Sequence, residues 1–118
     1  MRKRLIFILP LAALAASATA APPSPPVFWA GCAGALAVKA ERSGKSPVAA
    51  QTTSLARRAL AQARVAANPQ RLTVPQINGV AISAAQSFRT QLGRNPGQAA
   101  NFEKAVKLCS DSVAKLPR

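Results

Sequence analysis

The chain has 118 residues, of which 49% are hydrophobic and only 4% aromatic, and 16 Lys and Arg against 3 acidic residues give it a net charge of +13. This length suits a single domain. The chain contains neither His nor Tyr, so it lacks the commonest general base and the commonest metal ligand. We therefore predict that it is not an enzyme and that it binds no metal or cofactor.

Residues 1–20 have the three-part organisation of a signal peptide. A basic start precedes the apolar run 5–16, and small residues occupy positions 18–20. The apolar run is shorter than the roughly 20 residues that a transmembrane helix needs. We expect cleavage after Ala20, with Ala21 as the alternative, and export to the periplasm of a Gram-negative bacterium, with extracellular release still open. An uncleaved N-terminal anchor is the competing interpretation.

The chain has two cysteines, Cys32 and Cys109, and both follow the leader. An even number of cysteines in an oxidising compartment predicts a disulfide. The bond would close a loop of roughly 77 residues, for which the chain-entropy model gives about 4 kcal/mol of stabilisation. Two buried free thiols are the alternative.

The mature chain is predicted to begin with a Pro-rich extended tether, residues 21–26, followed by one helical domain, residues 27–118. Abundant Ala favours close-packed helices over strands. We place a first helix at about residues 27–42 and a second at about 47–67, where Ser46-Pro47 gives an N-cap followed by a first-turn proline.

The segment 72–82 is compatible with helix, loop or hairpin. Asn78-Gly79 between apolar residues is typical of a hairpin turn, but Pro75 does not suit a strand that must donate hydrogen bonds. We predict a short or irregular third helix that begins between residues 75 and 80 and ends at Leu92.

The fourth helix has the clearest pattern in the chain, and Asn95-Pro96 marks its start. Its apolar residues alternate steps of three and four: Ala99, Phe102, Val106, Cys109, Val113 and Leu116. An up-down-up-down bundle makes the first and fourth helices antiparallel neighbours, which brings Cys32 and Cys109 to the same end. The predicted fold is therefore all-α, a small four-helix up-down bundle with one inter-helix disulfide.

Each of the three acidic residues is followed by a lysine four residues later. This spacing, with the acid first, is the favourable one for ion pairs on a helix surface. We expect three solvated pairs: Glu41–Lys45, Glu103–Lys107 and Asp111–Lys115.

The basic residues are unevenly distributed, and from residue 42 to residue 102 there is no acid. Arg57 and Arg64 are seven residues apart and so share a face of the second helix, and Arg58 flanks them. Arg71 joins the series only if helical geometry continues beyond the second helix. Because the planar guanidinium binds phosphate and carboxylate bidentately, these four arginines are the predicted anion-binding residues.

The sequence thus predicts an exported, periplasmic, basic helical binding or adaptor protein that recognises an anionic partner through an arginine-rich face. The partner would be an anionic envelope component or an acidic protein. Nucleic acid is not expected, because no aromatic residues interleave the basic ones, and no transmembrane segment is expected after cleavage. The alternatives are a membrane-active cationic protein and a structural domain without a specific ligand site, whose charge serves solubility.

Overall fold

The computed structural model describes residues 24–117, and the predicted signal peptide, residues 1–20, lies outside them. The described residues form four α-helices and no strand. The predicted all-α, four-helix fold is therefore confirmed. None of these helices is long and apolar enough to span a membrane. The helices are α1 (Pro25–Arg42), α2 (Pro47–Ala67), α3 (Val74–Arg94) and α4 (Ala99–Ala114).

Helix α1 begins two residues before the predicted position, inside the segment 21–26 that was expected to be an extended tether. Pro25 and Pro26 occupy its first turn, where the missing N–H group needs no partner and the fixed φ suits a helix. Pro26 is also buried. The prediction of an unpacked tether is thus wrong for these two prolines, and residues 21–23 lie outside the described residues.

Helix α3 is neither short nor irregular, which corrects the sequence-based prediction. It has 21 residues, as many as α2, and Asn78-Gly79 lies inside it, so the hairpin alternative is also wrong. A capping box starts this helix. The backbone N–H of Gln76 donates to Thr73 Oγ1 (3.2 Å), and the backbone N–H of Thr73 donates to Gln76 Oε1 (2.7 Å). Two backbone donors are thereby satisfied, and Pro75 fits in the first turn.

Helices α2 and α4 follow the sequence prediction more closely. The bounds of α2 are those expected, and Ser46 caps it by accepting a hydrogen bond from the Ala49 amide. At the predicted start of the fourth helix, Asn95 instead caps a single 3-10 turn, Pro96–Gln98, and α4 begins after it. The predicted apolar seam of α4 is confirmed, with four of its members buried: Phe102, Val106, Cys109 and Val113.

The directions of three of the helices follow from four inter-helix contacts. Cys32 bonds to Cys109. Lys39, further along α1, pairs with Glu103, earlier in α4, so α1 and α4 are antiparallel.

Helices α1 and α3 are parallel. Gly34 of α1 lies against Ala81 and Ala85 of α3, and Glu41, further along α1, pairs with Arg89, further along α3. These directions are the ones that the predicted up-down-up-down order requires of α1, α3 and α4.

Helix α1 is the central element of the domain. Five consecutive residues, 32–36, are buried and cover all sides of the helix, whereas α2, α3 and α4 each bury one stripe. Small side chains allow this, because at Gly34 backbone atoms of α3 lie only 2.6 and 2.8 Å from the position that a Cβ atom would take. The other three helices thus pack around α1 more than on one another, which leaves grooves between them.

Candidate functional site

The disulfide predicted from the two cysteines is present. Cys32 and Cys109 are bonded, their Cα atoms are 5.3 Å apart, and both residues are buried. A buried disulfide in the core of the bundle is typical of a structural role, since exposed and strained bonds are the redox-active ones. These sulfur atoms therefore stabilise the fold that positions the rest of the site.

None of the three predicted ion pairs forms. Glu41 accepts two hydrogen bonds from Arg89 of α3, and Glu103 accepts one from Lys39 of α1 at 2.9 Å. Asp111 pairs with Lys107, four residues before it, at 3.2 Å. The Glu41–Lys45 prediction is wrong because α1 ends at Arg42, before Lys45, and Gly44 in the turn that follows adopts a positive φ of 65°. The other two are wrong because each acid has a different lysine within reach.

This pairing leaves most of the basic residues without a carboxylate. All three acids in the chain are occupied, by Arg89, Lys39 and Lys107. Within residues 24–117, the remaining nine of twelve Lys and Arg have no carboxylate oxygen of a described residue within 4.0 Å. The described surface therefore carries uncompensated positive charge that attracts anions.

The structure divides the four predicted anion-binding arginines between different sides of α2. Arg64 donates to Asn78 Oδ1 of α3 at 3.2 Å, and Arg57 lines a groove shared with α3, so these two share a side as their spacing indicates. Arg58 instead reaches the carbonyl of Leu116, beyond the end of α4, at 3.5 Å. Arg71 follows a 3-10 turn and has a φ of 56°, so it does not continue the helical series.

The groove beside Arg57 lies between α2 and α3, and α1 forms its floor. Its volume is about 690 Å³, within the ~300–1,000 Å³ typical of small-molecule sites. We call it the α2–α3 groove. Its surface is mostly aliphatic. The aliphatic residues include Ala37 and Ala40 in the floor, Ala56 and Leu60 in the α2 wall, and Ala81 and Ile82 in the α3 wall.

The polar groups of the α2–α3 groove are few. The Thr53 hydroxyl donates a hydrogen bond to the Ala49 carbonyl of the same helix, at 2.8 Å. Its proton is therefore not available to a ligand in the groove. The charged residues that line the groove are Glu41, Arg57 and Arg89. Because Glu41 and Arg89 bind each other, Arg57 is the uncompensated charge among the lining residues. The groove thus combines an apolar surface with one available cation.

The pKa of Glu41 is lowered from its ordinary value of 4.5, chiefly by the hydrogen bonds that Arg89 donates to its carboxylate. A lowered pKa in the folded state means that this pair stabilises the fold above pH 4.5. The contribution is lost as the pH falls through the folded-state pKa of Glu41. Both side chains are about half exposed, so solvent screens the pair and the effect on stability is small.

We expect Arg89→Gln to raise the pKa of Glu41 towards its ordinary value, because a neutral amide stabilises the carboxylate less than a guanidinium does. An NMR titration of the Glu41 side-chain carbonyl measures this directly. Arg94→Gln is the matched control on the same helix and should leave that pKa unchanged. Equal titration curves for Arg89→Gln and the wild type would show that the ion pair does not form in solution.

A second groove lies between α3 and α4, beside the disulfide, and has a volume of about 410 Å³. Phe28 and Phe88 contribute to it, and Ser87 and Gln91 are its polar residues. No charged side chain lines it. It therefore lacks the cation that distinguishes the α2–α3 groove.

The fold and its grooves define a class, a disulfide-linked basic four-helix protein, and no narrower one. Comparison with family models, with curated proteins and with solved structures gives no match. Among residues 24–117, no cluster of three or more His, Cys, Asp or Glu is arranged to hold a metal ion. The α2–α3 side, with its arginines and its apolar groove, is therefore the candidate functional site.

Proposed function

We propose that this is an exported binding protein that holds an anionic component of the cell envelope on its α2–α3 surface, which we define as Arg57, Arg64 and the groove between these helices. The observation that carries the proposal is that Arg57 and Arg64 face α3 together without a carboxylate partner in the described structure, while every acid of the chain is paired elsewhere.

Arginine at these two positions favours phosphate or carboxylate as the bound group. Its planar fork donates two parallel hydrogen bonds to either anion. The contact of Arg64 with Asn78 uses Nη2 and holds its side chain beside α3. An oriented guanidinium loses less side-chain entropy on binding than a freely rotating one, which supports Arg64 as a binding residue.

Arg58 and Arg71 belong to the proposal as peripheral charges. Arg58 is directed towards the carbonyl of Leu116, and Arg71 is exposed in the connection after α2. Both add to the positive potential that brings an anion to the protein, an effect that acts over roughly 10 Å at moderate salt. Neither shares the side of α2 on which Arg57 and Arg64 lie.

The proposed export has two independent supports. The sequence of residues 1–20 has the organisation of a signal peptide. The bonded cysteines are typical of proteins that fold in an oxidising compartment. Phospholipid head groups and other anionic envelope molecules are abundant where such a protein would be located.

Binding to vesicles that contain equal parts of phosphatidylglycerol and phosphatidylcholine tests the proposal. We expect the oxidised protein to cosediment with these vesicles and not with pure phosphatidylcholine. The affinity should fall steeply as the salt concentration rises from about 50 to 300 mM, because surface charges are screened. Arg57→Glu/Arg64→Glu should reduce the binding by about tenfold or more at low salt, since two attractive contacts become repulsive.

The control variant is Lys104→Glu/Lys115→Glu, which changes the net charge equally but alters α4 and its end. It should lose much less affinity than the arginine variant. Equal losses for the two variants would show that only net charge matters and that the α2–α3 surface is not a site. Binding that ignores salt, or binding to an acidic protein but not to vesicles, would contradict an anionic envelope ligand.

A further inference from the structure

We infer that the α2–α3 groove binds one medium-chain fatty-acid anion, with the alkyl chain along the groove and the carboxylate on Arg57. This inference rests on the proposed function and specifies the ligand of the same surface. It differs from surface binding to a bilayer, because a single monomeric amphiphile enters the groove.

The shape of the groove suits an extended alkyl chain. Its α1 residues run from Ala33 to Glu41 and its α2 residues from Ala49 to Leu60. These stretches rise about 12 Å and about 16 Å along their helix axes, at about 1.5 Å per residue. Seven of the fifteen lining residues are Ala, whose side chains are single methyl groups, so much of this long surface is smooth.

The chemistry of the walls disfavours a polar ligand in the groove interior. The walls are aliphatic, and Thr53 donates its hydroxyl proton within its own helix. A sugar or a peptide backbone placed here would leave its polar groups without hydrogen-bond partners, which is unfavourable. An alkyl chain has no such groups, and its burial removes apolar surface of both partners from water.

The charges at the groove select a single negative group. Arg89 is neutralised by Glu41, whose two carboxylate oxygens both accept from it. Arg57 is exposed and has no carboxylate partner within the described residues. One cation beside an aliphatic groove complements one carboxylate at the end of an alkyl chain. The α3–α4 groove, which has no cation, does not meet this condition.

Isothermal titration calorimetry of the oxidised full-length mature protein with dodecanoate, below its micelle concentration, tests the inference. We expect one-to-one binding with a negative heat-capacity change, the mark of apolar burial. Arg57→Ala should weaken the binding by about tenfold, because a charge-assisted hydrogen bond is lost. Dodecyltrimethylammonium, with the same alkyl chain and the opposite charge, should bind at least about tenfold more weakly than dodecanoate.

Ile82→Gln tests the apolar wall at a position that is already 58% exposed, so the fold should tolerate it. Val65→Gln is the matched control, since Val65 is 65% exposed and does not line the groove. We expect the first variant to weaken dodecanoate binding several-fold and the second to leave it unchanged. Equal effects of the two variants would place the alkyl chain elsewhere and overturn the inference.

The outcomes separate this inference from the proposed function. If dodecanoate does not bind but anionic vesicles still bind through Arg57 and Arg64, the inference fails and the proposed function stands. If neither binds, both fail. Equally tight binding of dodecanoate and dodecyltrimethylammonium would also overturn the inference, because Arg57 would then have no role in selecting the ligand.

Discussion

Reduction of the Cys32–Cys109 disulfide is expected to lower the free energy of unfolding by about 4 kcal/mol, because the reduced unfolded chain regains the entropy of an open 77-residue loop. For a domain of this size the melting temperature should fall by about 15–30 °C. A net stability of roughly 5–14 kcal/mol is typical of about 95 residues. The reduced domain should therefore be marginally stable.

Guanidinium denaturation of oxidised and reduced protein, followed by circular dichroism, measures this change. The m-value should increase on reduction, because an unfolded chain without the cross-link exposes more surface. Cys32→Ala/Cys109→Ala should behave like the reduced protein and show no response to reductant. Unfolding curves that coincide for oxidised and reduced protein would show that the bond contributes nothing to stability.

Gly34→Ala is expected to destabilise the protein, although alanine is the better helix former. A Cβ atom at this position would lie 2.6 Å from the Ala81 carbonyl oxygen, 2.8 Å from the Ala85 amide nitrogen and 2.9 Å from the Ala84 Cβ. These are not flexible side-chain ends, so α1 and α3 would have to separate. Overpacking of this kind costs about 1–3 kcal/mol, more than the gain of about 1 kcal/mol in helix propensity.

Gly79→Ala is the matched control, because Gly79 lies within α3 and a Cβ atom there would meet nothing within 4 Å. This substitution should stabilise the protein by about 0.5–1 kcal/mol. Thermal unfolding of the two variants should thus give melting temperatures that shift in opposite directions. If both variants are stabilised to the same extent, α1 and α3 are not in the close contact described above.

Two ion pairs join different helices, and sequence spacing could not predict the partners in either of them. Glu41 and Arg89 are 48 residues apart, and Lys39 and Glu103 are 64 apart. No local pattern links such positions, whereas the local i,i+4 spacing suggested Lys45 and Lys107 as the partners of Glu41 and Glu103. On an exposed helix these local pairs are worth only a few tenths of a kcal/mol, so the packing of helices decides which cation is nearest.

The start of α3 is a different case, because its signal is present in the sequence. Thr73 followed three residues later by Gln76, with Pro75 in the first turn, is the pattern of a capping box. Asn78-Gly79 suggested a turn instead, because this pair favours turns when it stands between strands. Inside a helix that is capped and packed on α1, the same pair remains helical.

The sequence by itself determined that the domain is all-helical, that α2 and the apolar seam of α4 lie where they do, and that the two cysteines join. These features depend on local periodicity, on caps and on the chemistry of a single pair of thiols. The central position of α1, the α2–α3 groove and the separation of Arg58 from Arg57 and Arg64 depended on tertiary structure. They arise where side chains distant in sequence compete for the same space and the same partner, and no local pattern encodes the result.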